Sequence, residues 1–576
     1  MGDSTRAASR RWSLCAAAGM TSLLVAGGLT ATGLPASAAI RSGPLVGVVV
    51  RTASAQDAIR AEAEVRLAGG AVGRSLSLIS GFAAEVPADA VAELRATPGV
   101  AEVTPDGSVR MKGDKWIDDG GTNATVDSVK KAAGGKKKDQ TVDTASLTGA
   151  GIGVALIDSG VAPVAGLNQP GKVINGPDLS FESQTPGLVD IDTYGHGTHM
   201  AGIIAGSDPA TQTSARFDGI APGAHLISIK VAASDGSADV SQVLAAIDWV
   251  VTHRNDAGLN IRVLNLSFGT DSAQDEKLDP LSYAVEAAWR SGIVVVAAVG
   301  NDGAAATRVS MPAANPYVIA VGAADPNGTD SRTDDTVASF SSRGNTTRHA
   351  DLLATGRSVV SLRDPGSYID ITYPGARVAD TTGNVRFFRG SGTSQATAVM
   401  SGSVALLLQQ RPTLTPDQVK NLLTSSADPL VGADPVAEGA GQLDIAGAAA
   451  LGTPKDKKVT QSFAAATGLG SLEAARGTSH VADGVGNKLT GEKDIFGAPW
   501  VPAKWAPLSK AGTAWSGGTW NGNTWSGSGY TGVSWSSQTW STATWTAVGW
   551  TGRSWTDASW SGRSWTGRSW TGRSWT

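Results

Sequence analysis

Five short apolar runs lie between stretches of helical composition: GIGVALI (151–157), HLISIKV (225–231), RVLNLSF (262–268), IVVVAAV (293–299) and YVIAVGA (317–323). GIGVALI, IVVVAAV and YVIAVGA are apolar along their length rather than alternating, so such strands need cover on both faces. GTHMAGIIAG, VSQVLAAIDWVVTHR and PLSYAVEAAWRSG read as the intervening helices. Buried strands joined by helical crossovers make a parallel sheet with helices on both faces, an α/β architecture. Functional groups in such sheets collect at the carboxyl ends of the strands. Asp158, Ser267 and Asn301 end or follow these runs.

Further along, GSGTSQATAVMSG (390–402) places Ser394 where glycine-rich chain becomes helical, before Pro412. Ser394 therefore sits near a helix N-terminus, where free N–H groups and the dipole favour a developing anion. Alone this is a tight loop entering a core helix. Upstream stand Asp158 in GIGVALIDSG, His196 in YGHGTHMAG and Asn301 in GIVVVAAVGN.

With DSG, HGTHMAG and GTSQA in the order Asp, His, Ser, the segment from about Gly149 to Gly452 resembles the subtilisin-like serine proteases, the subtilases. The resemblance implies a parallel sheet of about seven strands and a catalytic triad of Asp158, His196 and Ser394. It implies Asn301 as side-chain donor to the oxyanion. Gly236, Ser237 and Ala238 match one edge that pairs with an extended substrate; Ser267, Phe268 and Gly269 match the other. Ala297–Gly300 would wall the primary pocket, with Ser310 near its base. No charge stands at these positions, which suggests large apolar or broadly tolerated side chains. SFSSRG (339–344) is a further structural match, and 345–388 is expected to hold inserted surface strands. The nucleophile helix departs from the usual Met, Ala, Ala, Pro, reading Gln395, Ala396, Thr397, Ala398. Losing a proline from a first turn is mild, because it only presets φ.

Other readings remain beside this one. His196 and His199 could be metal ligands, but no HExxH is present. An α/β-hydrolase needs G-x-S-x-G, whereas position 396 is Ala, and the only histidine beyond Ser394 is His480. The rival from another class is a surface-binding or adhesion protein that uses a protease fold as an inactive scaffold. Labelling of Ser394 by a phosphonate fluoride separates the two. Calcium is common in the family, but no acidic loop stands out to hold it, so no cofactor is assigned.

Residues 1–38 read as an export signal: Arg6, Arg10 and Arg11 precede an apolar stretch that ends at Ala36-Ser37-Ala38. The single cysteine, Cys15, lies within it, so the mature chain needs no disulfide. The protein is expected to be secreted, with surface association through its tail an open option. Residues 43–110 follow a β-α-β-β-α-β order, a ferredoxin-like α+β unit, and GFAAEVP and PGVAEVTPD resemble a subtilase propeptide. Residues 111–148, with Lys136–Lys138, read as a cleavable linker. The expected partners are peptide substrates and the chain's own segment 43–110. A net charge of −4 argues against nucleic acid.

Residues 453–498 are polar and glycine-rich and read as a second linker. From 499 to 576 tryptophan recurs every fifth residue; Tyr530 keeps the register and Lys510 breaks it. A packed core would need Leu, Ile and Val, which are scarce there. Five is an odd spacing for a strand, so successive rings change faces unless each unit turns. Stacked aromatics with Arg553, Arg563, Arg568 and Arg573 suit a cell-envelope polymer; a tail without a ligand is the alternative.

Overall fold

The structure, a computed structural model, describes residues 45–76, 81–105, 109–110, 123–133, 146–184, 188–212, 214–329, 331–478, 480–483, 488–516, 518–525 and 545–547. The export signal, Lys136–Lys138 and most of the tail lie outside them.

The N-terminal unit runs β1 (Leu45–Thr52), α1 (Ala55–Leu67), β2 (Ala71–Leu76), β3 (Gly81–Pro87), α2 (Val91–Ala96), β4 (Val100–Pro105). Its antiparallel sheet is ordered β2-β3-β1-β4. Ser54 caps α1 by accepting the Asp57 N–H at 3.2 Å. Val48, Val50, Phe82, Leu94 and Val103 close a core separate from that of the main body. After it comes β5 (Val109–Arg110).

Part of the expected linker is built into the main body. There β6 (Ala124–Thr125) is followed by α3 (Val126–Ala133), which buries Val126 and Val129 on one face. The large sheet comprises β7 (Gly153–Asp158), β8 (Val173–Asp178), β9 (His225–Lys230), β11 (Ile261–Leu266), β12 (Val294–Ala298), β13 (Ile319–Asp325), β14 (Thr336–Val337) and β15 (Leu352–Thr355). Between β9 and β11 comes the short β10 (Ser237–Ala238). All of the large-sheet strands except β14 pair in parallel, in the order β8-β9-β7-β11-β12-β13-β15. The helices are α4 (His196–Ala205), α5 (Val240–His253), α6 (Pro280–Arg290), α7 (Tyr368–Thr372), α8 (Thr393–Gln410) and α9 (Pro416–Ser426). The inserted strands are not superficial. β16 (Val359–Leu362), β17 (Arg377–Val378) and β18 (Phe387–Gly390) form a sheet with β6, and Val359, Leu362 and Phe388 are core residues.

The segment beyond 453 differs most from expectation. Leu472, Ala475, Leu489 and Ile495 are buried against the main body, so much of 453–498 is packed chain rather than linker. Trp500, Trp505, Trp515, Trp520 and Trp525 are all at most 5% exposed. Indole supplies the apolar surface that Leu and Val supply elsewhere, and its N–H then needs an acceptor. Asp248 on α5 is the acceptor for two of the five. Its Oδ2 takes Trp505 Nε1 and Trp520 Nε1, both at 2.8 Å, and its Oδ1 takes Ser509 Oγ at 2.5 Å. Trp515 Nε1 donates to the Ala245 carbonyl at 2.6 Å. Lys510, at the break in the pentad register, lies exposed in the helix Pro502–Ala511. Strands Trp515–Ser516, Thr519–Trp520 and Asn523–Thr524 form a meander, with Gly518 and Gly522 at positive φ in the turns. Trp515 faces Trp520 across the first pair. Within 515–525 each unit turns. Among the described residues no helix is long and apolar enough to cross a membrane.

Asp248→Ala orphans two indole N–H groups and a hydroxyl. At about 1–3 kcal/mol per buried donor, the unfolding free energy of the mature protein is expected to fall by about 3 kcal/mol or more, read from guanidinium melts. Burial raises the Asp248 carboxyl from 3.8 to about 6, against the pull of its three donors. A raised folded pKa contributes stability that is full below the unfolded value and is lost as pH rises through about 6. Wild type should therefore lose stability relative to Asp248→Asn between about pH 4 and 6.

Candidate active site

Asp158 is the last residue of β7 and 1% exposed. Its Oδ1 accepts the Ser159 N–H at 2.8 Å. His196 opens α4, and its Nδ1 lies 2.8 Å and 3.0 Å from the two Asp158 oxygens. A carboxylate bridging Nδ1 holds the proton there and leaves Nε2 as the basic nitrogen. Gly195 before it has φ +102, and a Cβ would meet Ser367 Oγ at 2.4 Å, so only glycine fits this entry to the helix.

Asp192 is a site residue that motif reading missed. It accepts Ser159 Oγ at 2.8 Å, Gly195 N at 2.6 Å and Thr198 N at 2.7 Å. It thereby ties the head of α4 to the end of β7 and places a carboxylate at the helix N-terminus. Burial pushes its carboxyl up; the Thr198, Gly195 and Ser159 donors oppose that. Its position four residues before His196 was the signal available in sequence.

Ser394 is the second residue of α8, which packs alongside α4. Its Oγ donates to the Ser267 carbonyl at 3.0 Å, and Ser267 Oγ donates to the Ser394 carbonyl at 3.1 Å. Asn265 Nδ2 donates to Ser267 Oγ at 2.8 Å, and Ser401 Oγ donates to Asn265 Oδ1 at 2.9 Å. These bonds fix the helix start on the end of β11. Asn301 follows β12. Its Oδ1 accepts Thr393 N at 2.8 Å and Thr393 Oγ1 at 2.9 Å. The carbonyl end of the amide is thus committed to Thr393, the residue before Ser394.

The two expected substrate edges sit as follows. β10 pairs antiparallel with β5, Ser237 opposite Arg110 and Ala238 opposite Val109. The end of the N-terminal segment thus lies as an added strand on one edge. On the other edge, a Cβ on Gly269 would meet Ser310 Cβ at 2.7 Å, and one on Gly300 would meet Ser310 Oγ at 2.5 Å. Phe268, Ser310 and 297–300 are buried together. Tyr194 stacks on Tyr368 with centroids 5.8 Å apart, and a Cβ on Gly236 would lie 2.8 Å from the Tyr194 ring. This aromatic pair beside β10 was not foreseen, because Tyr368 lies far away in sequence.

His199 is not a partner of His196 in a metal site. It is buried, its Nε2 lies 3.1 Å from the Phe388 carbonyl, and burial lowers its pKa to about 3. Among the described residues no three His, Cys, Asp or Glu side chains are grouped to hold a metal.

Residues 149–468 match the Subtilase family, and residues 34–106 match a putative peptidase inhibitor domain. Serine protease AprX of Bacillus subtilis is 39% identical over 327 residues, which is 56% of this chain and 71% of that protein. Subtilisin DY of Bacillus licheniformis is 34% identical over 293 residues, 50% of this chain and 88% of that protein. Fervidolysin from Fervidobacterium pennivorans is a structural neighbour at 23% identity and TM-score 0.46, covering 78% of this chain and 65% of that one. The buried carboxylate–imidazole pair, the serine at a helix head and the matches to the family models and to AprX converge: the chain belongs to the subtilase family and is a subtilisin-like serine endopeptidase carrying an N-terminal inhibitor-type domain.

Proposed function

We propose that the chain is exported as a zymogen and cleaves internal peptide bonds with Ser394 as nucleophile. The observation that carries this reading is the buried Asp158–His196 hydrogen-bonded pair beside the helix headed by Ser394. In the reaction His196 Nε2 takes the Ser394 proton as Oγ attacks the scissile carbonyl, then gives it to the leaving amine. Asp158 holds the tautomer and stabilises the imidazolium. Water repeats the sequence to release the acyl group. The Asn301 amide and the Ser394 backbone N–H serve the oxyanion. The substrate backbone pairs with Gly236–Ala238 on one side and Ser267–Gly269 on the other, with Ser310 at the pocket base.

The zymogen reading draws support from β5 lying antiparallel on β10, as a product strand would. Residues 43–110 act as propeptide, and export follows from segment 1–38. The chain works outside the cell. Five tryptophans are committed to the protein core, so contact with a cell-envelope polymer falls to the repeats beyond Trp525.

Ser394→Ala is expected to abolish hydrolysis and to accumulate as unprocessed precursor. N-terminal sequencing should place the wild-type cut between about Ser108 and Asp118. A mature N-terminus at Ala39 with full activity would remove 43–110 from the scheme. Turnover should rise with pH as the base loses its proton; a flat profile from mildly acid to mildly alkaline pH would assign the base elsewhere. Thr393→Val removes one of the two bonds on Asn301 Oδ1. It should lower kcat about two- to tenfold with KM little changed, because one neutral hydrogen bond is lost. For comparison, subtilisin itself loses about 100–1000-fold without its oxyanion Asn.

A further inference from the structure

Arg476 lies in the packed segment beyond residue 468, outside the stretch that matches the family. It is fully buried. Nε donates to Asp239 Oδ2 at 2.6 Å, and Nη2 reaches Asp239 Oδ1 at 3.4 Å. Nη1 donates to Glu473 Oε2 at 2.7 Å and to the Gly491 carbonyl at 2.8 Å, and Nη2 also donates to the Lys493 carbonyl at 2.5 Å. A guanidinium offers five N–H donors in a rigid fork, and this environment meets it from several directions.

Asp239 is the residue immediately after β10 and the N-cap of α5. Its Oδ1 accepts Ser241 N at 2.9 Å and Ser241 Oγ at 2.5 Å, while its own N–H donates to Gln242 Oε1 at 2.6 Å. Ser241 Oγ in turn accepts Ile495 N at 2.8 Å, a second bond from the same segment. β10 is two residues long, and its pairing in the large body is with β5. A strand that short has little ladder of its own to hold it, so its position is set by the turn before it and the cap after it. Gly236 N donates to the Ala233 carbonyl at 2.9 Å on the one side; Asp239 holds the other. A buried carboxylate at this point needs a compensating charge, and Arg476 supplies it.

We infer that Arg476 is a positioning residue for substrate: through Asp239 it fixes the edge Gly236–Ala238 at which an extended peptide pairs. The inference rests on the proposed role of that edge. Arg476 touches neither substrate nor the reacting atoms, so its loss should appear where binding along the strand matters and vanish where it does not.

The test uses the mature enzyme with two substrates: a chromogenic peptide reaching about four residues before the scissile bond, and a single-residue aryl ester that makes no strand. Arg476→Met is expected to raise KM for the peptide about tenfold with kcat within about twofold, and to leave kcat/KM for the ester unchanged. Arg476→Lys should recover part of the peptide KM. Where Arg476→Met fails to fold, the triple variant Arg476→Met/Asp239→Asn/Glu473→Gln removes the guanidinium together with the two carboxylates it pairs, and the same split is expected. Equal loss on both substrates, or no loss on either, overturns the inference. Labelling of Ser394 with a phosphonate fluoride runs alongside. An unlabelled wild type would overturn the protease chemistry itself, whereas labelled variants without the peptide-specific KM change overturn only the role of Arg476.

Discussion

The domain depends on burying α8. From Thr393 to Leu408 every residue of that helix is buried, and most are small. Small residues bring backbones close. A Cβ on Gly402 would meet Ile220 Cβ at 2.6 Å, and one on Gly202 of α4 would meet Ser361 Oγ at 2.3 Å. A helix that enters the centre of an α/β domain must also satisfy its unpaired N-terminal N–H groups. Here Asn301 takes Thr393 N, and the serines and Asn265 at the end of β11 lock the next turn. The same polar stitching that permits burial also aligns the strand ends around Ser394. Stability and site geometry share one set of bonds.

A second buried network holds the loop that leads into His196. Lys230 at the end of β9 donates to Glu182 Oε2 at 2.6 Å. Glu182 also accepts Thr193 Oγ1 at 2.6 Å and Ser234 N at 2.9 Å. One carboxylate therefore joins the strand end, the loop before His196 and the turn before β10. Burial pushes the Glu182 carboxyl up, and the Lys230 ammonium beside it pulls the other way. Such an ion pair adds little net stability over apolar packing, yet removing one partner is costly. Its contribution is to give three separate loops a single arrangement.

The parallel sheet could be read in sequence because strands such as 154–157 and 294–297 are apolar on both faces and need no context to be recognised. Asp158 and Asn301 stand where such runs end, whereas His196 and Ser394 open helices and were singled out by the motifs HGTHMAG and GTSQA. β8, with Asn175, Gly176 and Pro177, carries no such pattern and is held by pairing with β9. α3 was missed because two valines in a lysine-rich stretch make a weak stripe, although both are buried. The segment after 453 was misread on composition. A core was equated with Leu, Ile and Val, but large indoles with a shared carboxylate do the same work. Asp192 and Arg476 act through partners that only the fold brings near.

The pentad meander separates two uses of one repeated sequence. Trp515, Trp520 and Trp525 reach the interior because each unit reverses direction and returns its ring to the same side. Those units resemble the later SWTGR copies, yet they are bound to α5 through Asp248 and Ala245. Slippage during replication can add or delete near-identical units downstream without disturbing any of these contacts. The same event upstream would strip an indole from the interior. Copy number should therefore drift more freely beyond Ala547, the last residue of a strand paired with Val481–Asp483, than among the units up to Trp525.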